Sequence, residues 1–386
     1  MALPSTYQRG IDEKVFVEVE STYGAVSTAI PAITAAIRHM APAVIQIGDP
    51  KILRGDQRNT RSVSEYYTGK VSPGPWSLRS QVLPVDASTA PDVGDLIEAH
   101  MGGVAATNNY SLTETLTKTL RVWAFRGNES LQAVGAYVDQ MVLDAPDNDS
   151  PFFEFSGPAA RVVRTGRGGI ASGTSGTDQL VLDSGHGARF EVGSLVKLRD
   201  AADATEVSHR ITAIVTDTLT VTPNLTKTYD TTDDIYPDEP ASLTLAGLPI
   251  PASRNSFTIG GSAVDIELVS FRLTSQNQGR LRTMERGKTY ATGFEVGTDR
   301  DVRVEVALYG RQAVTQILEK ARAATSMALV CTLGDTAGAK LVVTVSKWVP
   351  DVPSINEAER GDQIHRFTGR AMASSVFNDE YSIDFQ

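Results

Sequence analysis

Two short peptides constrain this chain more than any other feature. Phe153-Glu154-Phe155-Ser156-Gly157-Pro158-Ala159 is answered downstream by Phe367-Thr368-Gly369-Arg370-Ala371, so Phe, a hydroxyl residue, Gly, any residue and Ala recur 212 residues apart (367 − 155). The recurrence predicts two versions of one unit. Everything between and before the peptides then reads as a domain, an insertion and a second copy.

Four further anchors keep the same order. Ala43-Val44-Ile45-Gln46-Ile47 is strand-like, and Ala263-Val264-Asp265-Ile266 repeats its character at 220 (263 − 43). Tyr66-Tyr67-Thr68-Gly69 is echoed by Tyr290-Ala291-Thr292-Gly293 at 224 (290 − 66). Val93, Leu96, Ile97 and His100 recur at helical spacing, as do Val314, Ile317, Leu318 and Ala321 at 221 (314 − 93). Ser88 and Thr89 are N-cap candidates for the first helix, Pro91 suits its first turn, and Gly102-Gly103 ends it. Strands over 116–123 and 341–348 both end in Trp, at 225 (348 − 123).

The stretches between these anchors complete the plan. A strand over 15–19 precedes the turn Ser21-Thr22-Tyr23-Gly24, and 25–40 reads as an arm with one short helix. Strands at 63–67 and 76–83 flank Ser72-Pro73-Gly74-Pro75, and a strand over 137–143 leads to an acidic turn. After the first peptide, 165–176 is rich in Gly, Ser and Thr and reads as a linker. Short strands follow at 179–182, 195–198, 209–215 and 218–221, closed by the acidic run 230–240. The expected organisation is mainly β: an arm and first strand (1–42), a first strand-rich unit with one helix (43–164), a linker and small β-barrel or sandwich (165–240), and a second unit (241–386).

Composition narrows the function. The 386 residues suffice for two or three domains, and 41% hydrophobic with 21% charged residues fits a globular protein. No stretch approaches the roughly 18 apolar residues of a membrane span, and the start lacks signal-peptide character, so synthesis and use in the cytoplasm is expected. Thirty-six basic against 46 acidic residues give a net charge of −10, which disfavours a protein that grips nucleic acid. The single cysteine, Cys331, excludes an intramolecular disulfide framework and reads as a buried strand residue.

Catalytic signatures are missing from the sequence. His39, His100, His186, His209 and His365 do not pair at ligand spacing, and His100 reads as a helix-end packing residue. No Gly-Lys-Ser/Thr follows the glycine-rich stretch, and no G-x-S-x-G occurs. Asp144, Asp147 and Asp149 lack the twelve-residue calcium-loop spacing, and Arg54-Gly55-Asp56 and Arg360-Gly361-Asp362 read as turns. The chain is therefore read as no enzyme, with no catalytic, cofactor or metal residues. Two long polar loops remain as contact candidates: 54–61, with Arg54, Arg58 and Arg61, and its expected counterpart 274–282, with Gln276, Arg280 and Arg282.

The strand over 15–19 with Glu20-Ser21-Thr22-Tyr23-Gly24, the element order of both units, Phe155-Ser156-Gly157, Phe367-Thr368-Gly369 and Glu380-Tyr381-Ser382-Ile383-Asp384-Phe385 resemble the major tail tube protein of long-tailed bacteriophages. The resemblance covers roughly 10–164 and 241–386. It implies β-sandwich units, each flanked by a helix, whose sheets join between neighbours into a barrel lining a tube. It further implies that the loops 54–61 and 274–282 and the arm 1–40 connect stacked rings, which makes the six loop residues named above candidates for ring stacking. Its implied partners are other copies of the chain, the tape measure protein and genomic DNA in an acidic lumen without sequence-specific binding, and terminator and baseplate proteins at the tube ends. The implied location is the virion tail, assembled in the host cytoplasm without a membrane or cofactor.

The duplication departs from the family's six chains per ring. With two units per chain, three chains supply a pseudo-sixfold ring. The extra strand at 380–385 is a candidate for pairing with a neighbouring subunit. Two alternatives are a baseplate or host-recognition protein that contacts a receptor through 177–240, and a polysaccharide-active enzyme, which needs paired carboxylates.

Overall fold

Alternating apolar and polar residues, as in Leu341 to Pro350, dictate the architecture: strand occupies 47% of the protein and helix 7%. The computed structural model describes residues 13–48, 51–53 and 66–386, apart from 87, 107, 148, 203, 242, 244–246, 252–254, 264–267, 310–311, 353–357, 360–361 and 375–376. The first part contains β1 (Lys14–Val19), β2 (Ala36–Ile37), β3 (Val44–Ile45), β4 (Lys51–Leu53), β5 (Tyr66–Thr68), β6 (Gly74–Gln81), α1 (Gly94–Met101), β7 (Gly102–Ala106), β8 (Asn109–Leu112), β9 (Leu120–Phe125), β10 (Ser130–Ala136), β11 (Gln140–Ala145) and β12 (Phe152–Thr165). The middle holds β13 (Gly168–Gly173), β14 (Gln179–Leu182), β15 (Leu195–Arg199), β16 (Glu206–Val215), β17 (Thr218–Thr222) and β18 (Asp234–Pro237). The last part runs through β19 (Asn255–Ile259), β20 (Ser262–Ala263), β21 (Leu268–Gln276), β22 (Arg280–Leu281), β23 (Phe294–Glu295), β24 (Asp301–Tyr309), α2 (Gln312–Arg322), β25 (Met327–Leu333), β26 (Leu341–Pro350), β27 (Ala358–Glu359), β28 (Asp362–Ala371) and β29 (Ser382–Phe385).

The first and last parts are wired alike. Antiparallel pairing runs β1-β9-β10-β12-β6-β3 in one and β19-β25-β26-β28-β24-β21 in the other. In each, the helix follows the fifth strand of that order and precedes the second. The two recurring peptides hold equivalent places. Phe155 and Gly157 face Leu78 and Trp76, and Phe367 and Gly369 face Val306 and Val304. A single apolar core runs through both parts, from Leu78, Phe153 and Phe155 to Phe271, Trp348 and Phe367.

The recurring glycines have a steric cause. A Cβ on Gly157 would stand 2.0 Å from the Tyr137 carbonyl oxygen, and one on Gly369 would stand 2.4 Å from the Val349 carbonyl oxygen. Both sit where the strand changes neighbour, from β11 to β10 in the case of β12. Glu20 explains the Glu-Ser-Thr-Tyr-Gly run: its buried carboxylate accepts from the Gly24 and Gly135 amides (3.0 and 2.7 Å) and the Thr119 hydroxyl (2.8 Å).

Several expectations are corrected. Trp123 lies on β9 and Trp348 on β26, the second and third strands of their orders, so these tryptophans are not equivalent. The arm over 25–40 holds only a three-residue 3-10 turn, Ile33–Ala35, before β2. Ser88 and Thr89 do not cap α1, which starts at Gly94. The Asp86 carboxylate accepts from both of their amides and hydroxyls and closes a separate turn. Gly102 ends α1 in the left-handed conformation, as expected. The strand at 380–385 is not open to a neighbour, because β29 pairs with β26 on one side and with β8 on the other. Residues 264–266 of the anchor Ala263-Val264-Asp265-Ile266 lie outside the described residues.

The expected linker is also a strand. β13 pairs with β14 and β18 and closes a six-stranded barrel in the order β13-β14-β17-β16-β15-β18. Its small residues are needed there: Ile170 is fully buried, and Gly173 lies against Leu180, Leu225 and Tyr229. The barrel has its own apolar core and meets the main body through the Thr165–Phe190 bridge, a hydrogen bond from the Gly166 amide to the Arg189 carbonyl, and Lys14–Glu239 at 3.2 Å.

Gly157→Ala and Gly369→Ala should each destabilise the protein by about 1–3 kcal/mol, as overpacking does. Chemical denaturation measures this, and unchanged midpoints would refute the crossing-point account. Residues 166–240 expressed alone should unfold in one cooperative transition by circular dichroism, since their sheet and core close without the rest of the chain.

Candidate functional site

β11 and β21 join the two halves. Six residue pairs, from Gln140 opposite Gln276 to Ala145 opposite Phe271, make a continuous antiparallel seam. One sheet thereby runs β3-β6-β12-β11-β21-β24-β28. Its inner face, including Leu78, Phe155, Met141, Leu273, Val304 and Phe367, is buried in the common core.

The outer face interleaves opposite charges. Arg272 meets Asp144 across the seam at 3.9 Å, Arg370 meets Asp301 at 3.6 Å, and Arg366 meets Glu305 at 3.9 Å. Arg79 lies over the Phe152 ring, 3.6 Å from its centroid. Solvent-accessible pairs of this kind contribute about 0–1 kcal/mol each, so their consequence is local neutrality more than stability.

Beneath the seam lies a polar knot. His100, in the last turn of α1, is fully buried; its Nδ1 lies 3.3 Å from the Val138 carbonyl oxygen and 3.2 Å from Asn277 Nδ2, and its Nε2 is hydrogen-bonded to the Ser275 hydroxyl (2.9 Å). Asn277 donates to the His100 carbonyl (3.0 Å) and accepts from Arg300 Nε (3.2 Å), while Arg300 Nη2 donates to the Thr113 carbonyl (2.9 Å). Burial pushes the imidazole down from 6.5 to about 3, and the nearby Arg300 charge adds to this while the hydrogen bond to the Val138 carbonyl offsets only part of it. His100 is indeed a packing residue, but it also ties the halves together through partners 175 and 177 residues away.

The six predicted contact residues do not form one cluster. Arg54, Arg58 and Arg61 lie outside the described residues. Gln276 ends β21 at the seam, its Nε2 3.5 Å from Asp139 Oδ2. Arg280 and Arg282 share Glu295, at 3.1 and 3.2 Å. The segment 274–282 is therefore not a long loop but a strand end, a three-residue turn and the start of a hairpin.

Register identifies the true counterpart of 54–61. Leu53 faces Tyr66 and Leu281 faces Phe294, so both hairpins match at an offset of 228 (281 − 53 and 294 − 66). β3–β6 and β21–β24 share that offset. The partner of 54–65 is thus 282–293, and Tyr66-Tyr67-Thr68-Gly69 corresponds to Phe294-Glu295-Val296-Gly297, not to Tyr290-Ala291-Thr292-Gly293. Arg54 and Arg58 match Arg282 and Arg286 in sequence. The 282–293 segment is held by Lys70, whose Nζ donates to the carbonyls of Thr283 and Glu285, and by the Val71 amide on the Thr289 carbonyl (3.0 Å).

Sequence reasoning missed the outer edge of β3. The Gln46 amide donates to Pro75 on the β6 side, so the Ile45 and Ile47 backbone groups point away, and they find no hydrogen-bond partner among the described residues. Val44 is 45% and Ile47 52% exposed. Ala43 marks one end of this edge: Glu13 accepts from its amide (3.1 Å) and Arg126 donates to its carbonyl (2.6 Å). A run of alternating apolar residues cannot announce whether its second edge will be covered.

Elsewhere, a cavity of about 730 Å³ lies between the barrel and the main body, lined by Ile47, Val71, Phe190, Val192, Ile214 and Tyr290 among others. Cys331 is buried, which pushes its thiol pKa up and away from nucleophile character. Among the described residues no group of three His, Cys, Asp or Glu is placed to hold a metal ion. Among the described residues no helix is long and apolar enough to cross a membrane. No known family model and no curated protein matches this chain.

The knot predicts a pH dependence. A base whose folded pKa lies below its unfolded value binds fewer protons when folded, so the His100 contribution is complete above pH 6.5 and is lost as pH falls toward 3. Asp92, raised by burial from 3.8 to about 6, acts oppositely: its folded state loses stability as pH rises between those values. The His100 effect is therefore read as a difference. His100→Gln should cost about 1–3 kcal/mol at pH 7. In denaturant titrations the gap to wild type should narrow from pH 7 to 4.5, and a pH-independent gap would refute the buried neutral imidazole.

Proposed function

We propose that this chain is a structural virion protein that polymerises as stacked rings into the tail tube of a long-tailed phage and forms a conduit for DNA during ejection. The observation that carries the reading is the seven-strand sheet, in which two similarly wired units join edge to edge. In this reading they are tandem tail-tube-like β-sandwich units, each with a flanking helix, and the small barrel is an insertion between them. Joining like units through sheet edges inside one chain is the same operation that would join them around a ring, and it leaves no edge exposed once the ring closes. Three chains, each with two units, would complete a pseudo-hexameric ring.

The outer sheet face fits a lumen. Its arginines are interleaved with Asp144, Glu154, Asp301 and Glu305, so passing phosphate meets no continuous basic stripe on which to stall. This differs from a uniformly acidic wall, although the chain as a whole carries −10. The segments 54–65 and 282–293 carry Arg54, Arg58, Arg61, Arg282, Arg286 and Lys288 in sequence and would reach the adjacent ring. The tape measure protein and DNA would occupy the lumen, with terminator and baseplate proteins at the ends. The chemistry assigned to the chain is assembly, without catalysis.

Electron microscopy of the purified protein tests this. Hollow tubes with about threefold rings are expected, whereas monomers or closed rings that never stack would sink the proposal.

A further inference from the structure

We infer that the cavity at the start of α1, walled by Asp92, Asp95, Glu98 and Tyr110, is a binding site for a short linear diamine with both nitrogens protonated. The site is read from side-chain chemistry in the first half of the chain and is independent of the assembly reading.

The cavity has a volume of about 340 Å³. Val17 of β1, Ala35 of the 3-10 turn, Pro91 before α1 and Val104 of β7 give it apolar walls, and the three carboxylates and the tyrosine supply its polar groups. An alkyl chain with a charge at each end matches both parts. Asp95 is exposed and Glu98 half-buried, so a ligand from solvent reaches them.

The negative charge is not balanced within the chain. Lys118 takes Glu98 at 2.5 Å. Asp92 and Asp95 form no ion pair among the described residues. Asp92 Oδ2 accepts from the Arg38 amide (3.2 Å), whereas its Oδ1 has no hydrogen-bond partner. Burial raises the Asp92 carboxyl to about 6, and the Arg38 amide and charge offset only part of this. A facing ammonium would supply the missing compensation.

Acidic residues in a first helical turn also suit the helix dipole, so they need a second observation before they mark a site. Tyr110 provides it. The residue is 2% exposed, lines the cavity, and its hydroxyl finds no hydrogen-bond partner among the described residues. A Cβ on Gly94 would stand 2.6 Å from that hydroxyl oxygen, so the glycine leaves the room in which the hydroxyl sits. Desolvation first, and then the charges of Asp95 and Glu98, keep the phenol protonated. Its lone pairs remain to accept an ammonium N–H.

The duplication shows that the helix itself does not demand these carboxylates. At the helix offset of 221, Ala313 and Gln316 stand where Asp92 and Asp95 do, and the first turn of α2 holds no acidic residue. The shape of the cluster favours an extended cation over a single ion. An α-helix rises about 1.5 Å per residue, so Asp95 and Glu98 stand about 4.5 Å apart along the axis. No group of three His, Cys, Asp or Glu among the described residues is placed to hold a metal ion. A chain with an ammonium at each end reaches separate carboxylates, one end at Asp95 and the Tyr110 hydroxyl and the other at Asp92.

Isothermal titration calorimetry of the full chain with the four-carbon diamine putrescine, at neutral pH and low salt, tests the site. Saturable binding of one diamine per chain is expected. Asp95→Asn, at an exposed position, should keep the wild-type melt and weaken binding about tenfold or more, and Tyr110→Phe should weaken it about threefold or more. Butylamine, with a single ammonium, should bind about tenfold more weakly than the diamine. Lack of saturable binding would overturn the site, and equal affinity for butylamine would overturn the doubly charged ligand. Affinity unchanged in either variant would overturn the assignment of the groups. Competition by Mg²⁺ as strong as by the diamine itself would reveal a general acidic surface and overturn the site as well.

Discussion

Every backbone amide and carbonyl taken out of water must be paired, and a sheet edge cannot do this alone. That requirement is met between the two halves by β11 and β21, and much of the architecture follows from it. The seam makes one sheet out of two, aligns Met141 and Leu143 with Phe271 and Leu273 over a common core, and sets Asp144 opposite Arg272 on the outer face. A one-residue slip would reverse all of these side chains, so the apolar face fixes the register more tightly than the hydrogen bonds do.

The polar knot under the seam adds specificity. His100, Ser275, Asn277 and Arg300 satisfy one another and the carbonyls of Val138 and Thr113, so α1 accepts the second half in only one position. A buried imidazole stays neutral at a cost in acid, and a mismatched partner would leave its hydrogen-bonding atoms unsatisfied. The β29–β8 pairing closes a second contact between the halves. The halves consequently behave as one body, whereas the inserted barrel keeps a core of its own.

Much of this plan was legible where burial imposes a period. The recurring Phe-x-Gly-x-Ala, the α2 pattern of Val314, Ile317 and Ala321, and β14 at Gln179–Leu182 all follow from local alternation or helical spacing. Other features depend on tertiary context. Gly168–Gly173 has the composition of a linker, but its small residues serve close packing inside a barrel. The counterpart of 54–61 was placed eight residues early because the two copies differ in loop length, so the offset changes from 228 beside β6 to 212 along β12. Polar composition cannot locate such a step, whereas strand register can. The His100 knot involves partners far away in sequence, and no local pattern encodes it.

The two halves share a pairing order but are not interchangeable. The β11–β21 seam joins segments of one chain, so it forms at the effective concentration of a tethered segment, and the His100–Ser275 contact holds it in place. Among the described residues the first half alone carries the β7–β8 hairpin between its helix and the next strand of the shared order, and the barrel follows it. The two halves thus share one pairing order while the elements attached to each differ.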